Sequence, residues 1–273
     1  MKYCFISDVH GCYDKMIKAL NDAGFNAETD TIVSLGDPFD RGPQSYEVLK
    51  YLMQCPNRIL VWGNHDYRLR NLLLGLGKPH QNDYVNGVLE TMQSFCNNKN
   101  ITNIALGITL FNHDADLKMR NKLLWKYFDE CVWAMEFKDF VATHAWLPIT
   151  VDYDTYNDIE ANRIHYSEVV KYWKGWQNAD AEDWYDASWA NTRKNVLNAA
   201  FHPDKKLLVG HWHAFRLRYL YEEPEKKEEK YLNFSTYETS NYIAIDGCSN
   251  TDYGVVNVYV YETDETPKFY NPR

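Results

Sequence analysis

Five short apolar runs in this chain each end in residues that can bind a metal ion. That recurrence constrains its fold more than any other feature. Lys2–Ser7 runs into Asp8-Val9-His10, and Thr31–Leu35 runs into Gly36-Asp37. Arg58–Trp62 runs into Gly63-Asn64-His65, Phe140–Thr143 into His144, and Lys206–Val209 into Gly210-His211-Trp212-His213. Runs of four to six apolar residues bounded by glycine read as buried strands. In open α/β sheets, sites form beyond the carboxyl ends of the strands. Ligands following five strands can therefore converge while lying far apart in sequence.

Between the first three runs lie helical patterns. Tyr13 to Ala23 places Met16, Ile17 and Leu20 at helical spacing before Gly24. Pro43 opens a second helix carrying Val48, Leu49 and Leu52. This β-α-β-α-β rhythm predicts adjacent, largely parallel strands with right-handed crossovers. Further on, Tyr67–Leu76, Asp83–Asn97 and Met119–Glu130 read as helices. The end of the chain reads as antiparallel, with strand-like Leu217–Tyr221, Tyr242–Asp246 and Val255–Tyr261. Residues 151 to 200 are polar and aromatic, with Trp173, Trp176, Trp184 and Trp189 close together. This cluster reads as a satellite core, with base stacking as the minority alternative. Residues 222 to 230 form a charge cluster around Pro224, read as a solvated loop.

The 273 residues suit one large α/β domain, and 45% hydrophobic content supplies its core. A net charge of -9 repels a nucleic-acid backbone, so no nucleic-acid partner is expected. Anionic substrates stay possible where bound cations and an arginine create a local positive centre. Six scattered cysteines form no CxxC pair, no signal-peptide-like stretch opens the sequence, and no run of ~18 apolar residues could span a bilayer. These features predict a cytoplasmic protein with inert thiols and no membrane association.

The ligand types themselves are informative. Imidazole with carboxylate suits manganese, iron or zinc, whereas calcium or magnesium prefers oxygen alone. Two cations a few ångströms apart repel, and a carboxylate between them offsets that repulsion. Asp37 is the candidate bridge. A water bound between two cations loses a proton near neutral pH and becomes a nucleophile.

The strings Asp8-x-His10-Gly11, Gly36-Asp37-x-x-Asp40-Arg41-Gly42, Gly63-Asn64-His65-Asp66, His144 and Gly210-His211-x-His213 together resemble the calcineurin-like metallophosphoesterase superfamily. The Gly-Asp-x-x-Asp-Arg-Gly string is similar to the phosphoprotein phosphatase branch, which includes serine/threonine phosphatases and symmetrical diadenosine tetraphosphatases. The resemblance implies a four-layer α-β-β-α sandwich of two mixed sheets flanked by helices. It implies one such domain over residues 1–273, with an aromatic-rich insert or cap around 151–200. It also implies two divalent transition-metal ions, manganese foremost. Asp8, His10, Asp37 and His213 would hold the first, and Asp37, Asn64, His144 and His211 the second. His65 would be the proton donor, oriented by Asp40. Arg41 would bind the phosphoryl group. Trp189-Ala-Asn191-Thr-Arg193 loosely resembles the segment bearing a second phosphate-binding arginine, here Arg193.

Three departures bear on substrate. Asp66 stands where many protein phosphatases have Glu, Trp146 follows Ala145 where a glycine is usual, and 151–200 has no clear counterpart. The expected activity is phosphomonoester hydrolysis, on a phosphoprotein or a phosphorylated small molecule. The alternative is a dinucleoside polyphosphate hydrolase. A phosphodiesterase or nuclease, and a non-catalytic phosphate-binding protein, rank below both.

Overall fold

The computed structural model describes residues 1–158, 163–171, 175–197, 201–202, 204–220 and 232–272, without the side chains of 150–158, 163–171, 193–194 and 197. Its strands are β1 (Lys2–Ile6), β2 (Thr31–Ser34), β3 (Arg58–Val61), β4 (Cys131–Val132), β5 (Ala134–Glu136), β6 (Phe140–Thr143), β7 (Thr150–Asp158), β8 (Arg163–Lys171), β9 (Lys206–Val209), β10 (Tyr237–Glu238), β11 (Tyr242–Ala244), β12 (Tyr259–Glu262) and β13 (Lys268–Tyr270). Its helices are α1 (Tyr13–Asp22), α2 (Ser45–Gln54), α3 (Asn64–Leu73), α4 (Gln81–Val85), α5 (Val88–Cys96), α6 (Ile104–His113), α7 (Lys118–Glu130), α8 (Ala181–Ser188), α9 (Thr192–Leu197) and α10 (Ala214–Arg218).

One sheet has the order β12-β1-β2-β3-β4, and the other β10-β11-β9-β6-β5-β13. Both are mixed: β1 to β4 run parallel with β12 antiparallel at the edge, while β9 runs parallel to both β6 and β11. Alternation along the strands explains the layering. Tyr3, Phe5, Val33, Leu35 and Val61 of the first sheet pack against Met135, Phe140, Ala142, Leu208 and Ile243 of the second. The intervening residues Ile6, Ile32, Leu60, Val141, Leu207 and Val209 join a separate cluster with the helices. Met16, Leu49, Leu52, Leu69, Ala214 and Leu217 are its helical members. Central strands buried on both faces read as continuous apolar runs for this reason. Fully burying a ring such as Phe5 is worth about 2 kcal/mol over leaving it exposed. The predicted α-β-β-α sandwich is therefore the fold.

The differences from the sequence reading are local. The described part of the run expected as a strand over Leu217–Tyr221, Leu217–Leu220, is helix and turn. Ala214–Arg218 is a helix, because Ala214 and Leu217, three apart, both bury, and Ala214 N–H donates to Asp246 O at 2.7 Å. The end is not wholly antiparallel, since β11 pairs parallel with β9. The strand expected over Val255–Tyr261 begins at Tyr259 rather than at Val255, whose N–H is spent on Gly247 O. The helix expected over Asp83–Asn97 is broken at Gly87, φ 88°, giving α4 and α5. Trp173 lies outside the described residues. Trp176 and Trp184 are buried, with Trp184 stacked 6.2 Å from Trp133. Among the described residues no helix is long and apolar enough to cross a membrane.

Candidate metal centre

Beyond the last strand residues, the loops of neighbouring strands zip together. Asp8 N–H donates to Gly36 O, His10 N–H to Asp37 O and Gly11 N–H to Pro38 O, at 3.1, 3.0 and 2.9 Å. Gly210 N–H likewise donates to His144 O at 2.7 Å, joining the ends of β9 and β6. These bonds hold the loops in tight, unfavourable backbone geometry. Of the eight non-glycine residues with positive φ among the described residues, six are Asp8, His10, Asp37, Asp40, Arg41 and His211. Such strain persists where surrounding structure over-determines it, and it clusters at functional sites. Gly63 is required by close approach: a Cβ there would sit 2.1 Å from Asp37 Oδ1.

The side chains so placed form two groups around one carboxylate. His10, Asp37 and His65 place ligand-type atoms within 4.8 Å of one another, and so do Asp37, His144 and His211. Asp37 belongs to both. Asp8 and Asn64 border these groups: Asp8 Oδ1 is 3.7 Å from His10 Nε2, and Asn64 Oδ1 is 2.8 Å from His144 Nε2. His213 belongs to neither. Its Nδ1 lies 2.9 Å from Asp246 Oδ2 and its Nε2 3.5 Å from Cys248 Sγ. Arg193 lies in α9, and its side chain is outside the described residues.

The donor chemistry fits cations. His10 Nδ1 donates to Phe39 O at 2.9 Å, and His144 Nδ1 to Leu35 O at 2.7 Å. Each backbone carbonyl can only accept, so each Nδ1 carries a proton and each Nε2 faces inward. Arg41 Nη1 donates to His10 Nε2 at 2.8 Å, which requires a lone pair on that nitrogen. Asp37 also sits against the N-terminus of α3, where His65 N–H donates to its Oδ1 at 3.0 Å.

A further layer holds these groups in place. Asp66, with no exposed surface, accepts from Asp37 N–H at 3.0 Å and Gly63 N–H at 2.9 Å, pinning the β2 and β3 ends together. The residue that departs from the usual Glu thus still spans both loops. Asp40 Oδ2 takes the Nδ1 proton of His65 at 2.7 Å, and its Oδ1 accepts from Thr91 Oγ at 2.8 Å. Ser249 Oγ donates to Asp8 O at 2.6 Å, while Lys15 Nζ reaches the carbonyls of Ser249, Thr251 and Gly254. One ammonium therefore fastens α1 to the loop that supports Asp8. Sequence reasoning missed Thr91, Ser249 and Lys15, because isolated polar residues carry no motif. Trp146 is fully buried in the outer core, and the ring beside the site is Trp189 instead.

Without cations the carboxylates and imidazoles set each other's charge. Burial, then Asp246, pushes Asp8 up to about 7. Burial opposes ionisation of Asp37, but His144 and His65 outweigh it and hold that carboxyl well below its usual range. Burial, then His144, lowers His211 to about 3. Burial disfavours charge on His144 and His213, yet Asp37 pushes the first up to about 10, and Asp246 the second likewise. Both ring nitrogens of His213 are already engaged, by Asp246 and Cys248.

A sign follows for stability. A folded-state pKa raised above the ordinary histidine value lends stability that is full below that value and drains as pH rises toward 10. Metal-free protein should thus unfold at lower urea at about pH 9 than at about pH 7.5. His213→Asn should reduce that difference, and equal urea midpoints in the parent protein would contradict the assignment.

Comparison with known proteins agrees with this geometry. A model of the calcineurin-like phosphoesterase family matches residues 1–233. Symmetrical bis(5'-nucleosyl)-tetraphosphatases of Salmonella paratyphi B and Salmonella typhimurium are 41% identical over 86 residues. That match covers 31% of this chain, and it spans only 30% of the length of those relatives. A crystal structure described as a candidate diadenosine tetraphosphatase superposes over 98% of this chain and 93% of its own, at 14% identity and a TM-score of 0.48. A cold-active protein-tyrosine phosphatase of a Shewanella species superposes over 99% and 80%, at 16% identity and a TM-score of 0.45. Likenesses of that size carry no argument, whereas the family match runs from before the first ligand to beyond the last: the chain belongs to the calcineurin-like phosphoesterase family.

Proposed function

We propose that this chain is a dinuclear, metal-dependent phosphatase acting on phosphomonoesters. The observation that carries the reading is the sharing of Asp37 between two groups of ligand-type side chains, one of which includes His65, itself held by the Asp40 carboxylate. Asp8, His10 and Asp37 would hold one divalent cation, and Asp37, Asn64, His144 and His211 the other. We infer manganese foremost, with iron or zinc as alternatives, from the mixed nitrogen and oxygen donors. When bound, such cations supply an activated water and neutralise charge on the phosphoryl oxygens. We read residues 1–273 as one domain, with 151–200 as an insert; its hairpin β7–β8 forms a two-stranded sheet of its own among the described residues.

The chain's own residues would do the rest. Asp40 fixes the His65 tautomer so that Nε2 faces the site. Burial works against charge on His65, but Asp37 and then Asp40 raise its pKa, which keeps a proton ready for the leaving alkoxide. Arg41 places Nη1 on His10 and Nη2 3.4 Å from His65 Nε2, between the ligand side and the leaving side. A fork there can take two phosphoryl oxygens and hold phosphorus in line. Arg193 is a second candidate for that grip.

A second reading, hydrolysis of dinucleoside polyphosphates, is favoured by the 41% identity to symmetrical tetraphosphatases over 86 residues. A panel of p-nitrophenyl phosphate, its diester analogue, a phosphoserine peptide and diadenosine tetraphosphate separates the two. Turnover of monoester and peptide with added manganese is expected. Turnover of diadenosine tetraphosphate alone would replace the first reading with the second, and turnover of the diester alone would sink both.

A further inference from the structure

Trp189 is the exposed aromatic at this centre. It follows α8 directly, with its N–H on Asp186 O at 3.1 Å, and its side chain is 43% exposed while Trp184 of the same helix is buried. Its ring lies 6.4 Å from the His65 ring at 25° and 6.5 Å from the His211 ring at 83°. The Tyr185 ring stands edge-on to it at 6.3 Å. Burial would be the default for so large an apolar surface, and here nothing among the described residues covers it fully. The ring borders the proton donor, hence the side from which a leaving group departs.

A cavity of about 450 Å³ opens beside it, lined by Trp189, Tyr185, Arg68, Asp83, Asn82 and Asn86 among others. Its arginine is already spent: Arg68 Nε and Nη2 donate to the two Asp83 oxygens at 2.9 and 2.8 Å. Its other basic group, His80, likewise leans on Asp83, with Nδ1 3.6 Å from Oδ2, so the cavity offers no guanidinium free for a second phosphate. Its open features are aromatic faces and the amides of Asn82 and Asn86, whose side chains make no hydrogen bond among the described residues. Aromatic faces with amide groups at the edge suit a flat ring carrying polar atoms.

We propose that Trp189, with the Tyr185–Asn86 cavity, is a leaving-group subsite for a planar aromatic ring. The subsite would make the enzyme prefer aromatic phosphate esters over aliphatic ones. This rests on the phosphatase reading, with His65 on the leaving side. The ring could belong to a nucleoside or to an aryl alcohol such as a tyrosine side chain. Both share the stacking chemistry, and the amides distinguish them.

The test compares kcat/KM for phenyl phosphate and glycerol 3-phosphate in the parent protein, Trp189→Ala and Trp189→Phe. The ratio of aryl to alkyl values should fall about tenfold in Trp189→Ala, and Trp189→Phe should keep most of it. An unchanged ratio in Trp189→Ala would overturn the subsite. Calorimetric binding of phenyl phosphate to manganese-loaded protein gives a readout free of turnover. Weaker binding to Trp189→Ala than to the parent supports the subsite, and equal binding overturns it. If the parent hydrolyses neither ester, the phosphatase reading fails while calorimetry still judges the subsite. An Asn82→Ala/Asn86→Ala double variant names the source of the ring. Selective loss of adenosine 5'-monophosphate binding points to a nucleoside, and undiminished binding points to an aryl group; either keeps the subsite.

Discussion

The Asp37→Asn variant should lose hydrolysis of p-nitrophenyl phosphate by about a thousandfold while keeping its fold. The amide is close to isosteric with the carboxylate, and its oxygen can still accept the bond that Oδ1 receives from His65 N–H. What it loses is the negative charge shared by the two ligand groups. That charge also favours the protonated ring of His144, whose Nε2 lies 3.3 Å from Asp37 Oδ2. Two cations without a charge between them repel, so affinity for at least one should collapse. Circular dichroism would confirm the fold, and added manganese should not restore the rate. Activity within threefold of the parent would show that Asp37 bridges nothing.

The second large effect is expected at His65. His65→Asn should lower kcat for an alkyl phosphate by about 10² to 10⁴, the usual contribution of a positioned proton donor. It should lower kcat for p-nitrophenyl phosphate far less, because that leaving group departs without needing a proton. Asp40→Asn should follow the same pattern more weakly, since Asp40 acts through the tautomer and orientation of His65. In the parent the rate should fall at high pH as His65 loses its proton, and that limb should vanish in His65→Asn. Equal losses on both esters would assign His65 to metal binding instead. The geometry makes that outcome meaningful, because His65 Nε2 lies 3.8 Å from Asp37 Oδ2.

Much of the centre was legible because its parts sit at fixed offsets from strands whose apolar runs are unmistakable. Asp8, Asp37, Asn64, His144 and His211 each follow a run that the hydrophobic pattern marks as buried. Gly36 and Gly63 mark where two loops pass each other: a Cβ on Gly36 would meet Gly63 Cα at 2.6 Å. The supporting residues were less legible. Thr91 lies 51 residues from Asp40, and Ser249 lies 241 residues from Asp8, so only the tertiary fold joins them. Asp246 and Cys248 belong to no ligand string in the sequence, yet they engage both ring nitrogens of His213.

In the outer parts, period and length misled. Leu217, Tyr219 and Tyr221 alternate like a strand, but the burial of Ala214 and Leu217 and the Asp246 carbonyl favour a helix turn. Helix α6 was overlooked although Asn103 caps it by accepting from Leu106 N–H at 2.8 Å. Strands β5 and β13, three residues each, are too short for any period to register, and only the pairing of β5 with β13 on one side and β6 on the other makes them strands. Asn86-Gly87 was a visible break inside the helix expected over Asp83–Asn97. Its purpose is tertiary, since a Cβ on Gly87 would lie 2.1 Å from Arg41 N.

The claim under all of this is that one buried carboxylate holds two cations together. Anomalous diffraction from manganese-soaked crystals tests it most directly. Two peaks should appear, both within coordination distance of Asp37, one beside His10 and one beside His144 and His211. A single peak, or peaks that leave Asp37 without a metal neighbour, would contradict it.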